Sequence, residues 1–97
     1  MKYYAFGFDA RPKGGLHDII AICDTLDEAK AAIEQEAPNH AYWHGYKGHI
    51  ATIKNNQFKI VLRYAAELVG NIYAGQIKRQ VWAETSKEYD AFLMDTP

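Results

Sequence analysis

Residues 18–36, DIIAICDTLDEAKAAIEQE, constrain the fold more than any other part of the chain. Ile19, Ile20, Ala21, Ile22 and Cys23 form a continuous apolar run. Such a run suits a strand covered on both faces, hence a central one. Thr25 stands three residues before Glu28, the spacing of a capping box. In that motif the hydroxyl accepts from a free amide of the first turn and the carboxylate reaches back to the cap. Leu26, Ala29 and Ile33 follow at helical spacing, and Asp27 and Glu28 lie at the positive end of the helix dipole. Pro38 disfavours helical geometry in the residue before it, so the helix is expected to stop near Ala37.

A chain of 97 residues reads as a single domain, 1–97, with a modest core. A formal net charge of −1 argues against strong steering towards nucleic acid or an anionic membrane. Cys23 is the single cysteine, which excludes an internal disulfide. Its apolar setting reads as a small buried hydrophobe rather than a reactive thiol. Lys2 is followed by aromatics at strand spacing rather than by the apolar core of a signal peptide. No run approaches the ~20 apolar residues of a membrane span. A cytoplasmic protein with no membrane association is expected.

In the N-terminal stretch Tyr4, Phe6 and Phe8 alternate with Tyr3, Ala5 and Gly7, which marks a strand. Gly7 leaves room for a neighbouring ring or backbone. Pro12 and Gly14-Gly15 predict a turn, and a hairpin into the apolar strand is the simplest connection. Further on, Asn55-Asn56 supplies the left-handed conformations of a tight hairpin turn, placing a second hairpin over residues 50–64. Residues 58–74 read two ways. Phe58, Ile60, Leu62 and Tyr64 alternate as a strand, while Phe58, Val61, Leu62, Ala65, Leu68, Val69 and Ile72 fit one long helix. The β-branched and aromatic content before residue 64 and the Ala65-Ala66-Glu67-Leu68 run after it predict a strand followed by a short helix. Residues 76–84 alternate once more, with Ile77, Val81 and Ala83 inward and Trp82 outward. Thr85 and Glu88 repeat the capping spacing ahead of a terminal helix carrying Tyr89, Phe92 and Leu93.

These elements predict an α+β domain, its sheet antiparallel or mixed, with helices on one face. The order from the apolar strand onward matches the βαββαβ order of ferredoxin-like folds, with an extra N-terminal strand and C-terminal helix. That fold hosts many functions and implies none.

The 38–49 loop, PNHAYWHGYKGH, is the least average segment: three of the four histidines, His40, His44 and His49, lie among Tyr42, Trp43 and Tyr46. Tyr and Trp give large contact area at low entropy cost, the composition of an interface hot spot. Tyr42, Trp43, Tyr46, His40 and His44 are therefore the candidate binding residues. His40 and His44 are also spaced to share one face of a helix, so a His-dependent metal or small-ligand site, an enzymatic one included, is the alternative. No cysteine pair or His-Glu-x-x-His accompanies them, and Gly45 and Gly48 favour a loop. No metal, cofactor or catalytic residue is assigned. No nucleophile elbow, Walker loop or dinucleotide fingerprint is present, and FKIVLRY lacks the Lys/Arg-Gly-aromatic signature of base-stacking sheets. The expectation is a non-enzymatic protein-binding module with a protein partner and no nucleic acid. In size and in its lack of chemistry motifs the chain resembles the small accessory proteins of phages and mobile elements that bind and inhibit host proteins.

Overall fold

The computed structural model describes residues 1–8, 18–43, 45–70 and 75–94, with backbone alone at 41–43 and 93. The described residues form a five-stranded antiparallel sheet and two α-helices, an α+β domain. The strands are β1 (Tyr3–Phe8), β2 (Ile19–Cys23), β3 (Gly45–Lys54), β4 (Gln57–Val69) and β5 (Gln76–Ala83), in spatial order β2-β1-β3-β4-β5. Helix α1 spans Leu26–Glu36 and α2 spans Ser86–Met94. A 3₁₀ segment, Ala37–Trp43, continues from α1.

At both helix starts the threonine half of the expected capping box forms, without a bond among the described residues from the glutamate carboxylate back to the cap. Thr25 Oγ1 accepts from the Glu28 amide at 3.1 Å, and Thr85 Oγ1 from the Glu88 amide at 3.3 Å. Ala29 and Ile33 of α1 are fully buried, as is Ala37 just beyond. Thr25→Ala is expected to cost about 1 kcal/mol, read as a shift in the urea midpoint, and Thr85→Ala less because α2 is short and terminal.

The sheet is layered on both sides. Tyr46, Ile50, Leu62, Tyr64, Ala66 and Leu68 pack with Ala29, Ile33 and Ala37 into the core under α1 and the 3₁₀ segment. Trp82 joins this face. Its Nε1 donates to Glu34 Oε1 at 2.7 Å and Lys30 lies 5.3 Å over its ring, so the outward placement expected for Trp82 is corrected. Helix α2 sits on the opposite face over β4 and β5, where Arg79 packs on Phe92 and the register neighbours Ala65 and Val81 lie beside Ala83. The helices therefore do not share one face.

Three expectations change. The apolar strand β2 is not central. It pairs with β1 alone and forms an edge, and Ile22 is 58% exposed. The expected N-terminal addition, β1, holds an interior position between β2 and β3. Where a short helix was expected after residue 64, the described residues are strand, because β4 runs on to Val69 and pairs with both β3 and β5. Described elements from β2 onward thus run βαβββα rather than βαββαβ. The Ala65-Ala66 pair explains the override of helix propensity. Each alanine faces a different layer, Ala66 in the core under α1 and Ala65 on the α2 face, and both are buried. Small side chains let packed layers approach a strand from both sides, and two ladders of hydrogen bonds outweigh a weak local preference.

The tight turn is as expected, with Asn55 and Asn56 at φ 53° and 62°. Gly7 and Gly48 face each other across the β1–β3 ladder. A Cβ on Gly7 would run into the Tyr46 hydroxyl, and one on Gly48 would lie 2.5 Å from the Phe6 carbonyl oxygen. The paired glycines form a trough that seats the Tyr46 ring and Ile33.

Candidate functional site

Because successive side chains of a strand point to opposite faces, β1 divides its aromatics. Tyr3 faces the core under α1, while Tyr4, Phe6 and Phe8 emerge on the other side. There they meet side chains of β3 and β4. Phe6 stacks on His49 with ring centroids 4.6 Å apart, and Phe8 lies 5.7 Å from the same imidazole. Phe58 abuts Tyr4 and Phe6 edge-on at 5.2 and 5.4 Å. Such edge-to-face contacts fix ring orientation beyond simple burial. Ile53 pairs with Phe58 and Ala51 with Ile60 across the hairpin, and Ile22 lies opposite Tyr4.

This half of the face has no helix packed over it among the described residues, since α2 packs on β4 and β5. Its outer side chains are accordingly exposed: Ile22 at 58%, Ile53 at 49%, Phe58 at 42% and Ile60 at 38%. These are four of the eight large apolar side chains found exposed among the described residues, and they fall on one contiguous patch. A clustered patch, unlike scattered apolar residues, marks an interaction surface.

Charge on this face is arranged at its two margins. On the β2 side Lys2 Nζ donates to Asp24 Oδ1, and that hydrogen bond holds the Asp24 carboxyl below the usual carboxylate range. On the α2 side Arg79 Nε and Lys78 Nζ both donate to Glu67, whose carboxyl is lowered chiefly by the Arg79 bond. Between these margins Lys47 and Arg63 flank His49 and form no ion pair with a described carboxylate. Arg63 Nη1 donates instead to the Glu84 carbonyl oxygen at 3.1 Å.

The 38–49 segment is not one loop. It divides into the 3₁₀ segment and the start of β3. Tyr46 is 1% exposed and its ring stacks on His40 at 4.4 Å, so this aromatic completes the core. His40 Nε2 lies 3.2 Å from Glu36 Oε1, one helical turn back. Tyr42 and Trp43 lie on the backbone of the 3₁₀ segment; their side chains, and all of His44, fall outside the described residues, as does the turn expected at Pro12 and Gly14-Gly15. His40 packs on the α1 side of the sheet and His49 on the other, so the sheet separates these two imidazoles. Among the described residues no group of three His, Cys, Asp or Glu side chains could hold a metal ion.

A cleft of about 570 Å³ opens beside the start of α1 and shares Ile53 with the patch; Tyr3, Leu26, Val61 and Leu62 line it too, with Lys54 and Glu84 at its polar side. Its size falls in the range of small-ligand pockets, but no described histidine lines it. Cys23 is partly covered, and burial raises its thiol above the ordinary value, which disfavours the reactive thiolate.

Sequence reasoning missed Phe58, Ile60, Ile53 and Ile22 as surface groups. The signal was present in the alternation of Tyr4, Phe6 and Phe8, whose face had to be covered or offered. No described helix is long and apolar enough to cross a membrane. No protein family, curated protein or solved structure matches the chain.

Proposed function

We propose that the chain is a non-enzymatic protein-binding module of the cytoplasm that presents the open half of its sheet to a partner. The observation that supports this reading is the contiguous patch of Ile22, Ile53, Phe58 and Ile60 around the packed rings of Tyr4, Phe6 and Phe8. An accessory protein that inhibits what it binds needs no more than such a face. Tyr46 and His40 of the 38–49 segment are engaged with each other, so the proposed interface is drawn from the strands on the far side of the sheet; the side chains of Tyr42, Trp43 and His44 lie outside the described residues.

The test is affinity capture from cells of the native host, using tagged wild type and the Ile22→Thr/Ile53→Thr double variant. Both positions are exposed strand sites, and threonine keeps the β-branch, so the variant should match the wild-type melting temperature. The expected result is one or more proteins, identified by mass, retained by wild type and lost by the variant. Capture of the same set by both proteins would remove the open face as the binding surface.

A further inference from the structure

We infer that the open half-face takes a single amphipathic α-helix of its partner, acidic on its flanks, laid across β1 and β3 alongside α2. This rests on the protein-binding reading above. Three observations carry it: the size of the patch, its position beside a packed helix, and its charge.

Four strands, β2, β1, β3 and the first part of β4, contribute side chains to the patch. At strand spacing that is about 19 Å across, and five residues along a strand add about 17 Å. The resulting area, on the order of 300 Å², is well short of the ~800 Å² that each partner of a stable complex of standard size buries. It suits instead one helix, about 10 Å wide, of roughly three to four turns.

Position points the same way. Helix α2 already lies on this face over β4 and β5, burying Ala65 and Ala83. On the reverse face α1 contacts β1, β2 and β3. Among the described residues the same three strands carry no helix on the open side, beside α2. A bound helix would give β1 and β3 a second helical layer, as β4 and β5 already have with the 3₁₀ segment on one side and α2 on the other.

Charge selects the kind of helix. Lys47 and Arg63 border His49 between the apolar rings and α2, while the nearby Glu67 is already engaged by Lys78 and Arg79. Two cations without a described carboxylate partner complement acidic residues on the flank of an incoming helix. They also disfavour a second copy of this chain, because a face-to-face pair would oppose Lys47 and Arg63 with their own equivalents. A single-stranded nucleic acid would use the aromatic rings, but Phe6 is only 5% exposed under its neighbours. The exposed rim is largely aliphatic, and isoleucine offers no stacking surface.

The experiment selects binders from a displayed library of 18-residue peptides with helix-forming frames and randomised surface positions, against immobilised full-length protein. Recovered sequences are expected to converge on apolar residues at i, i+3, i+4 and i+7 with Asp or Glu beside them. Their affinity, read by fluorescence anisotropy, should fall at least tenfold for Ile22→Thr/Ile53→Thr and also for Lys47→Glu/Arg63→Glu. Alternating extended sequences would instead point to strand addition at the β2 edge, and basic sequences would reverse the charge argument. Either result overturns the helix inference, as does binding of labelled oligo(dT) or a concentration-dependent dimer in sedimentation that Ile22→Thr/Ile53→Thr dissolves. Failure to enrich any peptide overturns it too. Host-protein capture that still depends on Ile22 and Ile53 would then leave the binding reading standing.

Discussion

Gly48→Ala is expected to destabilise the domain by about 3 kcal/mol, the upper end of the usual cost of overpacking. The added Cβ would lie 2.5 Å from the Phe6 carbonyl oxygen and 3.4 Å from two carbons of Ile33. The first obstacle is backbone in the neighbouring strand, hydrogen-bonded in the β1–β3 ladder, and it cannot rotate away. Its partner Gly7 offers a contrast. There the obstacle is the end of the Tyr46 side chain, so Gly7→Ala should cost less in a Tyr46→Phe background than in wild type. Gly48→Ala should show no such relief. Urea midpoints at unchanged m-value measure both, and a loss at Gly48 under 1 kcal/mol would mean that the two strands separate more easily than this register allows.

Tyr64→Ala should be the most damaging single truncation, costing about 4 kcal/mol. Tyr64 is fully buried in the middle of β4, its ring 4.5 Å from that of Trp82 and its hydroxyl donating to Gln80 Oε1 at 2.8 Å. Tyr64→Phe keeps the packing and removes one hydrogen bond, so about 1 kcal/mol is expected. A pH signature separates the two roles. Burial raises the Tyr64 phenol well above its ordinary value of 10.0, so the folded chain holds a proton that the unfolded chain releases. The contribution is present below pH 10.0 and lost as pH rises beyond it. Stability should therefore fall on the alkaline side, less steeply in Tyr64→Phe. Tyr89, raised mainly by its own burial, supplies part of the remaining slope.

What was legible in the sequence was local. The caps at Thr25 and Thr85 and the Asn55-Asn56 turn each rest on a few neighbouring residues whose chemistry has one good solution. What was not legible was which side of each strand would be covered. The run from Ile19 to Cys23 reads as buried on both faces because five apolar side chains ordinarily seek cover. In the fold Ala21 and Cys23 pack against the core while Ile22 meets none of it. Likewise Ala65-Ala66 carries a helix preference, and only the second ladder, to β5, makes it strand. The aromatic stretch from Tyr42 to Tyr46 suggested an interface from composition alone. Burial of Tyr46 depends on the trough at Gly7 and Gly48, which are 41 residues apart in the chain and meet only through the β1–β3 register.

The edge position of β2 has a consequence for motion. With one hydrogen-bonded neighbour and one covered face, this strand has the fewest ties of the five described, whereas β4 is held by two neighbours and packed on both sides. Local opening therefore starts at the β2 rim and reaches β4 only with the whole domain. A partner seated on Ile22 would clamp the loosest strand to the tightest part of the sheet. Binding would then register less as a change of shape than as a stiffening of one border of the molecule.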